Sequence, residues 1–166
     1  MQIVYLGLDL QDHDGAEPGG GPAGGPEKVA GSGLLRCGEA GLAWVAYSGE
    51  FESEARLEIS QNSTHALLGH GVVEAINQLA IEGRLGSGLE VMIPPSVCEA
   101  VRSLFYEADR KTYGGRHEFV VGRSDGTPPT QYRVRIDNTE YQRTLAGLQF
   151  LMTTAARSGR AAWIRI

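Results

Sequence analysis

The amino-acid sequence predicts an α/β (or α+β) fold, a mixed sheet with helices packed on it, in the element order βββαβαββαβ. Two observations carry this. Short segments that are apolar or alternate with period two recur along the chain, and between them lie three longer segments with apolar residues at helical spacing. Capping residues and glycines punctuate the boundaries between the two kinds of segment. Strands interspersed with helices in this way form sheets that bury their faces under those helices.

Residues 3–8 (Ile-Val-Tyr-Leu-Gly-Leu) form a nearly continuous apolar run, which predicts a central strand buried on both faces. Residues 42–47 are a second strand, and Ser48-Gly49 turns the chain into a third at 51–59. That third strand alternates. Phe51, Ser53, Ala55, Leu57 and Ile59 share one face, while Glu50, Glu52, Glu54, Arg56 and Glu58 share the other.

A helix follows, capped by Ser63 or Thr64 and ended by Gly83, with Leu68, Val72, Ala75, Ile76 and Leu79 as its apolar stripe. Residues 89–93 are a short strand closed by Pro94-Pro95. Ser96 and Glu99 read as a capping box for a second helix, whose inward residues are Val97, Val101, Leu104, Phe105 and Ala108. Gly114-Gly115 ends it. Residues 117–122 are a strand, 124–129 a loop, and Tyr132, Val134 and Ile136 alternate with Arg133, Arg135 and Asp137 in the next strand. Asp137 and Glu140 form another capping box, opening a helix with Tyr141, Leu145, Leu148, Met152 and Ala155 inward and Ser158-Gly159 at its end. Residues 161–166 finish as a strand.

The 166 residues are expected to form a single domain. The 19 residues from 15 to 33 hold eight of its 23 glycines and three prolines, which predicts a flexible loop. Gly19, Gly21 and Gly24 have dinucleotide-fingerprint spacing, but Pro22 and Pro26 interrupt the helix that such a fingerprint must open. A net charge of −5 argues against non-specific binding to nucleic acid or anionic membranes. No run of about 18 apolar residues is present, and residues 1–14 lack a basic start, so a cytoplasmic protein is expected. Thirteen of the 15 basic residues are Arg, a bias also expected of a GC-rich bacterial genome.

The first seven elements resemble the ribonuclease H-like fold over residues 1–126. Asp9 stands at the end of the first strand, where that family keeps an acid, and a glycine-rich turn follows. Gln61-Asn62 precedes Leu67 much as a polar step precedes Glu-Leu in the family. Residues 89–93 look like its fourth strand, and residues 121–126 are similar to the turn after its fifth. The resemblance implies metal-dependent nuclease chemistry, in which four carboxylates hold two divalent ions. This chain departs from that set: Ala66 stands where Glu is required, Pro94, Pro95 and Ser96 stand where the fourth strand should end in an acid, and Arg123 replaces the loop histidine. A divergent nuclease acting on RNA or an RNA–DNA hybrid with Mg²⁺ or Mn²⁺ would then use Asp9 with Asp137, or with acids such as Glu50 or Glu52.

His65 and His70 are five apart, about 140° around a helix, which disfavours a shared metal and favours capping or surface histidines. Cys98 falls in the first turn of a helix, where the dipole lowers a thiol pKa, but its apolar neighbours favour a buried structural role. Glu50, Glu52, Glu54 and Glu58 form an acidic row, either a solvated edge or a docking face for a basic protein partner. Arg133 and Arg135 are the opposite row, able to pair with those acids or to bind phosphate.

The leading expectation is a non-catalytic protein-binding or adaptor domain of the immunity type, with no cofactor and no metal. Nucleic acid is not favoured as its partner.

Overall fold

The computed structural model describes residues 1–5, 40–47 and 53–166. The expected loop at 15–33, Asp9, Glu50, Glu52 and the Ser48-Gly49 turn lie outside the described residues. The fold is mixed α/β, and its order of elements follows the sequence closely: β1 (Gln2–Tyr5), β2 (Gly41–Tyr47), β3 (Ser53–Ile59), α1 (Gln61–Gly69), α2 (Val72–Ile76), β4 (Glu90–Ile93), α3 (Pro95–Thr112), β5 (His117–Ser124), β6 (Thr130–Ile136), α4 (Asn138–Ser158) and β7 (Ala162–Arg165).

The chain divides into two compact units, Met1–Cys37 with Glu118–Arg135, and Gly38–His117 with Ile136–Ile166. In the first, β1 pairs in parallel with β6, and β5 flanks β6 on the other side. The apolar run opening the chain was expected to be a central, doubly buried strand, yet β1 has one neighbour among the described residues and exposes Ile3 and Tyr5. An apolar run reports composition, whereas burial depends on which strands flank it.

The second unit holds a four-stranded sheet in the order β3-β2-β7-β4, every pair antiparallel. Its inward face carries Ala43 and Val45 from β2, Ile59 from β3, Val91 and Ile93 from β4, and Ala162 and Ile164 from β7, all buried. Ile59 and Ile164 meet Leu67, Phe105 and Leu148 from the helices at one small interior gap. Gly147 lets α4 approach β3, because a Cβ at that position would stand 3.0 Å from Leu57 Cδ2. Removing side chains of this size from water, at roughly 1.5–3 kcal/mol each, holds helices and sheet together.

Local chemistry explains where the helices differ from expectation. The single helix read from Ser63 or Thr64 to Gly83 is two short ones. Ser60, not Ser63 or Thr64, caps α1, its Oγ accepting from the Ser63 N–H at 3.2 Å. The helix breaks after His70 because Gly71 takes φ +75°, a left-handed conformation that costs glycine little. Nor do Ser96 and Glu99 box the start of α3. Pro94 is its N-cap and Pro95 its first residue, a position that needs no N–H donor, so Ser96 lies inside the helix. The Asp137 cap of α4 is as expected: its Oδ1 accepts from the Glu140 N–H at 3.1 Å.

Candidate functional site

In a strand, alternate residues point to opposite faces, so a row of side chains crosses the four-stranded sheet wherever the registers align. Arg56 on β3 lies opposite Trp44 on β2, Trp44 opposite Trp163 on β7, and Trp163 opposite Met92 on β4. These residues alternate with the buried set, so they stand on the face turned away from the helices. The two indoles are nearly parallel, 10° apart, with ring centroids separated by 6.2 Å. The next row reads Glu58, Leu42, Arg165, Glu90 in the same strand order.

The face is therefore apolar at its centre and charged around it. Trp44, Trp163, Met92 and Leu42 are half-buried, while Arg56, Glu58, Glu90 and Arg165 are exposed. Offset-parallel rings gain about 0.5–1.5 kcal/mol beyond area burial, so the pair forms a rigid aromatic centre. Each strand contributes one central side chain, and strand sequence alone separates Trp44 from Trp163 by more than a hundred residues. The signal available beforehand was a tryptophan alternating out of phase with buried neighbours on each strand (Ala43 and Val45, then Ala162 and Ile164).

One member of the acidic row, Glu58, stands on this face. Glu58 is exposed beside Leu42, and the register places Glu54 on β3 opposite Ala46. Glu50 and Glu52 lie outside the described residues. Because β3 is an edge strand among the described residues, its charges also discourage edge-to-edge pairing.

Arg133 and Arg135 both lie in β6 and turn to Glu118 of β5. Arg135 Nη2 stands 2.9 Å from Glu118 Oε1, and Arg133 Nη1 stands 3.6 Å from Oε2. Tyr5 Oη donates to Glu118 Oε2 at 3.1 Å, and the Arg135 guanidinium lies 4.8 Å from the Tyr5 ring centre. Hydrogen bonding from Arg135 leads the influences that hold the Glu118 carboxyl below its ordinary range. One carboxylate thus already occupies the place between the two forks that a phosphate oxygen would take.

Asp9 lies outside the described residues, and Asp137 spends one oxygen on the α4 cap. Among the described residues, no group of three or more His, Cys, Asp or Glu side chains is placed to hold a metal ion. Cys98 is fully buried, its thiol donating to the Pro94 carbonyl at 3.4 Å. Burial raises the thiol pKa, opposing the lowering expected from the helix start. His65 is buried rather than on the surface, whereas His70 does serve as the C-cap of α1.

No helix among the described residues is long and apolar enough to cross a membrane. No protein-family model, curated protein or solved structure matches the chain.

Proposed function

We propose that this chain is a non-catalytic protein-binding domain whose docking surface is the outward face of the β3-β2-β7-β4 sheet. The in-register stack of Trp44 on Trp163 at the centre of that face carries the reading. Protein interfaces combine an apolar, aromatic centre with a polar rim, and tryptophan is the side chain most enriched among their dominant contacts. Arg56, Glu58, Glu90 and Arg165 supply such a rim. Glu58, with the acidic run to which it belongs in the sequence, favours a partner whose adjoining surface is basic. Single-stranded nucleic acid also stacks on aromatic side chains, but it requires a positive groove, and here acids equal the arginines around the indoles.

The test places a photo-crosslinking residue at Met92, beside Trp163, or at Phe150, which is exposed on α4. In the native host, one protein should be captured from position 92 and not from 150. Trp163→Asp and Glu58→Arg, each checked for an unchanged circular dichroism spectrum, should weaken binding of the purified partner by roughly tenfold or more. Equal capture from both positions, or full binding by both variants, contradicts the docking face. Cleavage of an RNA–DNA hybrid with Mg²⁺ or Mn²⁺, abolished by Asp9→Asn, would establish a nuclease instead.

A further inference from the structure

The charges on the outward sheet face are arranged to complement a copy of themselves. Across β3, β2, β7 and β4, one row reads Arg56, Trp44, Trp163, Met92 and the next reads Glu58, Leu42, Arg165, Glu90. The rows lie about 6.8 Å apart, two residues along each strand. All eight residues belong to one compact unit, and the four charged ones are exposed. A twofold axis running across the strands, midway between the rows, lays a second copy face to face with the first. Each row then stands over the other row of the second copy. Arg56 meets Glu58 of the second copy and Glu58 meets its Arg56, the reciprocal contact of an isologous interface. Trp163 meets Arg165 of the second copy, and a guanidinium over an indole is the strongest of the cation–π pairings. Trp44 meets Leu42, Met92 meets Glu90, and no like charges oppose each other. An axis along the strands would instead set Glu58 over Glu90. Stacked sheets cross at about 30°, an offset that the long Arg and Glu side chains can follow.

We propose that a second copy of this chain occupies the outward face of the β3-β2-β7-β4 sheet, in a twofold dimer that pairs Arg56 with Glu58 across the axis. The inference rests on that face being a docking surface and adds its regulation. The dimer covers Trp44 and Trp163, so a partner with a basic surface engages them only after the copies separate. Two rows on four strands cover roughly 400–600 Å² of each copy, the size of weak, exchanging complexes. The dissociation constant is therefore on the order of 10–100 μM, which a tighter partner overcomes.

Sedimentation of the purified full chain between about 1 and 500 μM tests the dimer, and should show monomer giving way to dimer across that range. Arg56→Glu sets Glu against Glu twice, and Glu58→Arg sets Arg against Arg twice. Each variant alone should self-associate roughly tenfold more weakly or worse. An equimolar mixture of the two should dimerise at least as tightly as wild type, because every charge contact across the axis is then Glu against Arg. Both positions are exposed, so both variants keep the fold, which an unchanged circular dichroism spectrum checks. A photo-crosslinking residue at position 92 should also link two copies of the purified chain. A wild-type chain that stays monomeric throughout the range, a dimer that persists in both variants, or a mixture that stays monomeric overturns the proposal. Capture of a host protein from position 92 by a chain that is monomeric when purified would strike the self-pairing alone and leave the docking face standing.

Discussion

Asn62 and Asp137, 75 residues apart, are joined twice through one side-chain amide. Asn62 Nδ2 donates to the Asp137 carbonyl at 2.9 Å, and Asn62 Oδ1 accepts from the Asp137 N–H at 2.7 Å. The hydroxyls of Ser63, the third residue of α1, and Thr144, the seventh of α4, share a hydrogen bond at 2.7 Å. The second residue of α1 is thereby fixed to the N-cap of α4. Asn62 is 2% exposed, so water cannot replace a lost partner.

Asn62→Ala is expected to destabilise the fold by about 1–3 kcal/mol, since it leaves the Asp137 N–H without its partner and the Asp137 carbonyl with the Tyr141 N–H alone. Asn62→Asp keeps the acceptor and loses the donor, and should cost as much, because a carboxylate would then face a carbonyl. Urea unfolding curves measure both. A loss below about 0.5 kcal/mol in either variant would show that the tether contributes nothing net.

Gly41→Ala should be destabilising by about 2 kcal/mol or more, a large effect for one methyl group. A Cβ at Gly41 would collide with the Arg165 carbonyl and the Ile166 side chain, where β2 lies against β7. A backbone oxygen in a ladder cannot turn aside as a long side chain does. The thermal midpoint of the variant against wild type reads the effect, and an unchanged midpoint contradicts so close an approach.

Stability is expected to be level above about pH 7 and to decline from about pH 6.5 toward pH 5. Burial holds the His65 pKa below its ordinary value, and burial followed by His117 does so for His70. The unfolded chain therefore binds protons that the folded chain resists, so the stabilisation from neutral rings is complete above the unfolded pKa of about 6.5 and lost as pH falls through the folded values. Each pKa unit of depression is worth about 1.4 kcal/mol. Urea midpoints between pH 8 and 5 test this, and a profile without slope there refutes it.

Cys98 should resist a thiol reagent for as long as the protein stays folded. Its thiol is buried, and burial keeps it protonated more strongly than a backbone hydrogen bond with Ala162 opposes. In a Cys37→Ala background, labelling with an aromatic disulfide should proceed at the rate of unfolding and accelerate with urea. Prompt reaction in native buffer would place the thiol at the surface.

The element order was legible because it is written in local chemistry. The Asp137 cap, the β3 alternation and the apolar stripe of α4 each depend on residues a few positions apart. The errors have the same origin. Ser96 and Glu99 satisfy a capping pattern, but Pro95 starts the helix one residue earlier. The stripe from Leu68 to Leu79 spans Gly71 without registering that the backbone there has turned left-handed. The tether from Asn62 had no local signal, since its partner lies 75 residues along.

By itself the sequence determined the mixed α/β character and the order of its elements, because period, caps and breakers act within a turn or a strand. Tertiary structure alone decided which strands pair: β1 beside β6, and β2 between β3 and β7. That pairing placed Glu118 between Arg133 and Arg135 and aligned Arg56, Trp44, Trp163 and Met92 in one row. Register between distant strands follows from the joint burial of their inward faces under the helices, a condition that no segment of the chain can express alone.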